Sequence, residues 1–148
     1  MRIQTTRFGM LDIDSSDMLR FPNGLIGLET EHQWVLLADP NNNAVGWLQS
    51  VDQPGTALAV VSPRRFVKDY RIRVGQSQLN VLKLGPQDRI YALCVLSKDD
   101  ERITMNLRAP VLINLDQRLG CQAITTDQQP LQVELPRDTN AHLWRKTA

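Results

Sequence analysis

Histidine and cysteine are both scarce here: each occurs twice among 148 residues. His32 lies in the acidic stretch "ETEHQW" and His142 in "TNAHLW", each without a visible acid–base partner. General acid–base catalysis needs a titratable group positioned against another, so both histidines read as solvated surface. Cys94 and Cys121 each sit inside an apolar run, "YALCVL" and "LGCQAI". Such thiols behave as small core residues in a reducing compartment. Two cysteines without a histidine cluster cannot supply the usual four-ligand zinc site. Nucleophile-elbow, zinc-helix and phosphate-loop motifs are all absent. Neither an enzyme nor a bound metal or cofactor is therefore expected. Charge of one sign is lacking too: 17 basic and 16 acidic residues leave a net +1, too little to draw the chain toward nucleic acid or an anionic membrane. Apolar runs fall far short of the roughly 20 residues a membrane helix requires. The start, "MRIQTTRFGMLDID", lacks the apolar core of a secretory signal, so no export is expected.

What is present is regularity. Turn signals recur along the chain, among them "PNG" at 22–24, "DPNNN" at 39–43, "DQPG" at 52–55, "KDDE" at 98–101 and "DQQP" at 127–130. Short apolar segments fill the gaps: "WVLLA", "VGWLQ", "TALAVVS", "IYALCVLS", "ITMNL", "PVLINL", "CQAIT". In "YRIRV" the residues Tyr70, Ile72 and Val74 alternate with two arginines, and in "LQVEL" Leu131, Val133 and Leu135 alternate likewise. Short segments of period two at even spacing predict an all-β fold. We expect a single-domain, antiparallel β-barrel-like fold over residues 1–135 with at most two short helices, near "PRRFVKDY" and "QSQLNVLKL", and a polar C-terminal tail over 136–148. "KDDE" marks the clearest hairpin. Leu36, Leu48, Val60, Val95, Val111 and Ile113 are expected in the core.

The special residues lie at turns and strand ends. In "ITMNLRAPVLINL" (103–115) an apolar run is broken by Asn106, Arg108 and Pro110 and closed by Asn114. Asparagine bonds nearby backbone in turns, proline cannot donate to a ladder, and Ala109 before it is pushed toward extended geometry. The segment reads as two strands with a corner between them. Asn106 and Arg108 either hold that corner or help to display a partner surface. Gln49, Ser50 and Asp52 in "LQSVDQP" either tie a turn or edge an interface. "DIDSSD" (12–17) lacks the central glycine and distal glutamate of a calcium loop and reads as a solvated turn. "RRFVKDYRIR" (64–73) is basic with interleaved aromatics, a mixture able to hold RNA. Without an overall basic balance it reads as a solvated strand face.

Four blocks carry a more specific signal: "FPNGLIGLE" (21–29), "LQSVDQPGTALAVVSPRRFVKDY" (48–70), "TMNLRAPVLIN" (104–114) and "GCQAI" (120–124). In this order they resemble the signature blocks of the flagellar assembly factor FliW family, and "TRFGMLDID" is similar to its first hairpin. The resemblance spans about residues 3–125. It departs at Ile26 and Leu28, where the family typically has proline and phenylalanine, and after residue 125. It implies a cytoplasmic, non-enzymatic protein, expected as a monomer when free. Its implied partners are CsrA, an RNA-binding translational repressor, and flagellin. Exchange between them would relieve repression of flagellin messenger RNA without direct contact to nucleic acid. Because CsrA presents basic surfaces, Glu29 and Asp52, acidic residues at turns within the blocks, are the implied contacts, joined by Asn106 and Arg108. Two rival expectations are a small-ligand-binding barrel with a pocket at its mouth and a nucleic-acid-binding barrel using residues 64–73.

Overall fold

The protein is described from a computed structural model covering residues 1–136. Residues 137–148, with His142 and nearly all of the C-terminal tail, lie outside the described residues. Alternating apolar segments do become strands: β1 (Arg2–Thr5), β2 (Gly9–Asp12), β3 (Met18–Arg20), β4 (Gln33–Ala38), β5 (Val45–Ser50), β6 (Ala57–Val61), β7 (Ile90–Lys98), β8 (Ile103–Met105), β9 (Val111–Asn114), β10 (Leu119–Gln122) and β11 (Val133–Glu134). Strands β3, β4, β5, β6, β7, β9 and β10 follow one another around a closed barrel. Every step in that ring is antiparallel except the closure of β10 on β3, a parallel contact of Leu119 with Arg20. Closure removes the exposed edges that an open sheet would present. The β1–β2 hairpin is separate and packs Ile3 and Ile13 against Val35 of β4.

The barrel interior is filled. Leu19, Trp34, Leu48, Val60, Val111 and Ile113 meet there, and Phe21 and Leu25 close the space from a loop. Phe21 meets Trp34 edge to face with ring centroids 6.4 Å apart. A second cluster lies on the outer face of β5, β6 and β7. Trp47, Val61 and Cys94 are covered there by Ile103, Met105, Leu107, Tyr70 and Leu135. Sheets buried on both faces lose strict alternation, which is why β9 is buried at all four positions.

Of the six residues expected inside, Leu48, Val60, Val111 and Ile113 are buried and Val95 is half-buried. Leu36 is a correction: 41% of it is exposed. It pairs with Leu48 across β4 and β5, so it faces the interior side. Its next neighbour on that side is Gly46, which has no side chain to cover it; a Cβ there would lie 3.4 Å from Leu36 Cδ1. "YRIRV" is another correction. Tyr70 is buried and the arginines are exposed or nearly so, as the alternation requires, yet the stretch joins no sheet. Its backbone is held sideways instead, Arg73 O accepting from Thr126 N at 2.6 Å. The basic stretch is thus an extended strap with its cations toward solvent, not a strand face. Among the described residues helix is limited to α1 (Gln76–Leu79), continued as a 3₁₀ turn (Asn80–Leu82), with two further 3₁₀ turns at Ser15–Asp17 and Pro63–Arg65. No helix among the described residues is long and apolar enough to cross a membrane.

Both cysteines are free and buried. Burial pushes the Cys94 thiol up to about 12 and the Cys121 thiol up to about 11. It also raises the Tyr70 hydroxyl, which donates to Leu107 O at 2.6 Å. A thiol whose folded pKa lies above its unfolded value contributes fully below roughly pH 8.5 and loses that contribution as pH climbs to the folded value. Urea unfolding should therefore show stability falling above about pH 9, by on the order of 1.4 kcal/mol per pH unit per buried thiol. Cys94→Ala lowers stability at pH 8 but should flatten that alkaline fall; an unchanged slope would mean the thiol ionises freely in the fold.

Candidate partner-binding surface

The loop after β3 is built by two glycines. Gly24 has φ +67° and Gly27 φ +84°, the left-handed region that glycine enters without cost. Leu25 and Leu28 form a one-pair bridge, with Leu28 N donating to Leu25 O at 2.8 Å. Positive φ at Gly27 alone makes Leu25–Leu28 a type II turn with Ile26 at its second position. Leu25 is buried, while Ile26 and Glu29 are exposed. The Glu29 carboxylate turns back and accepts from the Gly27 N–H. Buried Phe21 and Leu25 thus anchor the loop, and Ile26 and Glu29 stand at its tip.

The corner in "NLRAP" answers why one core segment carries an amide, a guanidinium and a proline. Strands β8 and β9 both pair with the same side of β7, one after the other. Between them the chain must step away and return. Asn106 Oδ1 accepts from Arg108 N at 2.9 Å and Ala109 N at 3.1 Å. Arg108 Nε donates to Gln129 O at 2.8 Å. Pro110 follows, and β9 begins directly after it. Both side chains are half-buried and engaged in holding the corner. Asn114 is fully buried. Its Nδ2 donates to Leu82 O and to Asp88 Oδ2, each at 3.0 Å, and its Oδ1 accepts from Asp116 N at 3.1 Å and Gln117 N at 3.3 Å.

The 51–56 turn is tied from inside. Gln49, fully buried, points Nε2 at Ser50 O (3.0 Å), Pro54 O (3.2 Å) and Thr56 O (3.2 Å). Ser50 Oγ donates to Glu31 Oε1 at 2.8 Å and accepts from Gln53 N at 3.1 Å. Asp52 is exposed on this turn. Because β4 begins and β5 ends here (Trp34 opposite Ser50), Glu29 and Asp52 belong to neighbouring loops at one end of the barrel.

One residue that the sequence did not single out joins the blocks. Gln122, at the end of β10, accepts from Ile26 N through Oε1 and donates to Ala109 O through Nε2, both at 2.9 Å. It clamps the 24–29 loop to the 106–110 corner, while Ser50 and Glu31 link the segment that follows the loop to the 51–56 turn. The signal available was an amide inside the apolar stretch "GCQAI". His32 is exposed, as its acidic surroundings suggest, with Nδ1 3.1 Å from Phe21 O. Asp14 and Asp17 cap their own 3₁₀ turn, and no group of residues fit to hold a metal ion occurs among the described residues.

Comparison with known proteins agrees with this arrangement. The family model described as FliW protein matches residues 2–136. The flagellar assembly factor FliW of Bdellovibrio bacteriovorus is 35% identical over 129 residues, 86% of this chain and 74% of that protein. That of Ruminiclostridium cellulolyticum is 34% identical over 127 residues, 84% and 86% of the two chains. A crystal structure of the flagellar assembly factor FliW superimposes with a TM-score of 0.84 at 28% identity, covering 93% of this chain and 99% of that one.

Proposed function

The chain belongs to the FliW family of flagellar assembly factors, and from that premise we propose that it is a non-catalytic, cytoplasmic partner-switching protein. In this reading it binds the translational regulator CsrA and relieves its repression of flagellin messenger RNA. It binds flagellin in alternation, in a chaperone-like role, and is a monomer when free. It touches protein partners only, neither nucleic acid nor membrane. The observation that carries the reading is the family match over nearly the whole chain, with the 21–29 loop, the 51–56 turn and the 106–110 corner of its blocks at one end of the barrel. The packed interior speaks against the small-ligand barrel, since the space such a ligand would need holds Trp34, Leu48 and Val60.

Glu29 and Asp52 are the residues we assign to a basic partner, because both are exposed and sit on loops that the buried ties hold in place. Charges at an interface rim govern approach more than final affinity. Asp52→Lys combined with Glu29→Lys should slow association with CsrA about tenfold at low salt and flatten the salt dependence. Stopped-flow mixing at two salt concentrations reads this, with thermal melts confirming an intact fold. Unchanged rates in the folded variant would move the contact away from this end of the barrel. A wild-type chain that retains neither CsrA nor flagellin from host lysate would remove the proposal itself.

A further inference from the structure

Beside the Leu25–Leu28 turn lies a cleft of about 330 Å³ whose lining includes Ile26, Glu29, Gln78, Val81, Cys121 and Gln122. Two large aliphatic residues here are held outward rather than packed: Ile26 is 56% exposed and Ile124 54%. Single exposed aliphatics are ordinary on a protein surface. These two are distinguished by how their backbone is held. Gln122 accepts from Ile26 N at 2.9 Å. Gln78, from α1, grips Ile124 with both ends of its amide: Oε1 accepts from Ile124 N at 2.7 Å, and Nε2 donates to Ile124 O at 2.9 Å. Side-chain amides thus lock the backbone of both residues on either side of the cleft wall that Cys121 and Gln122 form. A surface ordered before contact loses less conformational freedom on binding.

The charge of the lining selects the occupant. Glu29 is the only charged residue in it, and among the described residues no cation forms an ion pair with it. A second copy of this chain docked about a two-fold axis would present the same acidic face to itself, with like charges opposed. A basic partner meets it with opposite charge. We propose that this cleft, with Ile26 and Ile124 beside it and Glu29 in its wall, receives an aliphatic side chain of the basic protein partner, flanked there by a lysine or arginine that meets Glu29. This rests on the CsrA reading above and names the anchor point within it. The apolar insertion supplies affinity, as buried centres of interfaces do, and Glu29 supplies register.

The test separates the two contributions. Purified CsrA is titrated into the wild type, into Ile26→Ser with Ile124→Ser, and into Glu29→Gln, by calorimetry at low and moderate salt. Melting curves report the fold, which both serines should leave unchanged because the residues are exposed and their backbone bonds survive. The double serine variant should bind at least about tenfold more weakly at both salt concentrations. Glu29→Gln should weaken the salt dependence instead. A folded double variant that binds CsrA within twofold of wild type overturns the anchor while the CsrA reading stands. The anchor is overturned equally if that variant loses only flagellin. A wild type that does not bind CsrA at all takes down the reading and the anchor together.

Discussion

Gly24→Ala should unseat the 21–29 loop and abolish partner binding. At φ +67° a residue with a Cβ loses about 1–2 kcal/mol to the left-handed conformation alone. Here the Cβ would also sit 2.4 Å from Leu28 O, 2.6 Å from Glu29 Cα and 2.7 Å from Glu29 O. These are backbone atoms that cannot rotate away, so the strand-like return of the loop must move. Overpacking of this kind costs about 1–3 kcal/mol more, giving a loss of roughly 2–5 kcal/mol. Gly27 provides the control. Its φ is +84°, yet nothing lies within 4 Å of a Cβ built there. Gly27→Ala should thus cost only about 1–2 kcal/mol. Gly24→Asn should not rescue Gly24, although asparagine tolerates positive φ, because its Cβ meets the same atoms. Thermal melts and CsrA titration of the three variants decide this. Equal losses for Gly24→Ala and Gly27→Ala would show that the close approach is relieved by loop movement.

The second large effect is expected at Asn114. Asn114→Ala deletes two donated and two accepted bonds in one place. The Leu82 carbonyl and the N–H groups of Asp116 and Gln117 lose their partners. A buried group left unsatisfied costs about 1–3 kcal/mol, so a loss of roughly 3–5 kcal/mol is expected. For a domain of this size that is a fall in melting temperature of about 6–20 °C. Urea unfolding should show a lower midpoint at unchanged slope. The variant also reports on Asp88, whose carboxyl is held below its ordinary range by the Gly85 N–H first and the Asn114 amide second. A depressed carboxyl adds stability that is present above its unfolded pKa and lost as pH falls through the folded one. Acid sensitivity arising from Asp88 should therefore shrink in Asn114→Ala. A stability change below about 1 kcal/mol would mean that water replaces all four bonds.

Asn106, Pro110 and Asn114 disclose a corner and a turn in the bare sequence because the chemistry that demands them is local: an amide bonding two N–H groups within three residues, and an imide that cannot join a ladder. Gly24 and Gly27 disclose a turn for the same reason, since positive φ is a property of a single residue. The hairpin at 98–101 is legible because β7 and β8 are joined by a short polar turn, with Lys98 opposite Ile103. Glu29 and Asp52 are exposed where their loop positions suggest.

The features that local reading misplaces are non-local. Tyr70, Ile72 and Val74 alternate as in a strand, but every barrel strand already has two neighbours, and the segment lies outside the ring as a strap. Leu36 has the hydrophobicity and register of a core residue, and only the neighbouring glycine leaves it bare. Gln122 reads as one more residue of a short apolar block, yet its amide spans partners 96 and 13 residues away in the chain.

By itself the sequence determined the elements of this protein: short alternating strands, glycine turns, an asparagine corner, and a set of blocks specific enough to suggest the family. Tertiary structure alone decided which of those elements meet. The parallel closure of β10 on β3 brings "GCQAI" beside "FPNGLIGLE", and the succession of β8 and β9 along β7 brings "NLRAP" to the same end. The physical reason is range. Backbone preference and amphipathic period act over a few residues and are written into local composition, whereas barrel closure and the amide clamps join residues far apart in the chain, whose proximity exists only once the barrel is shut.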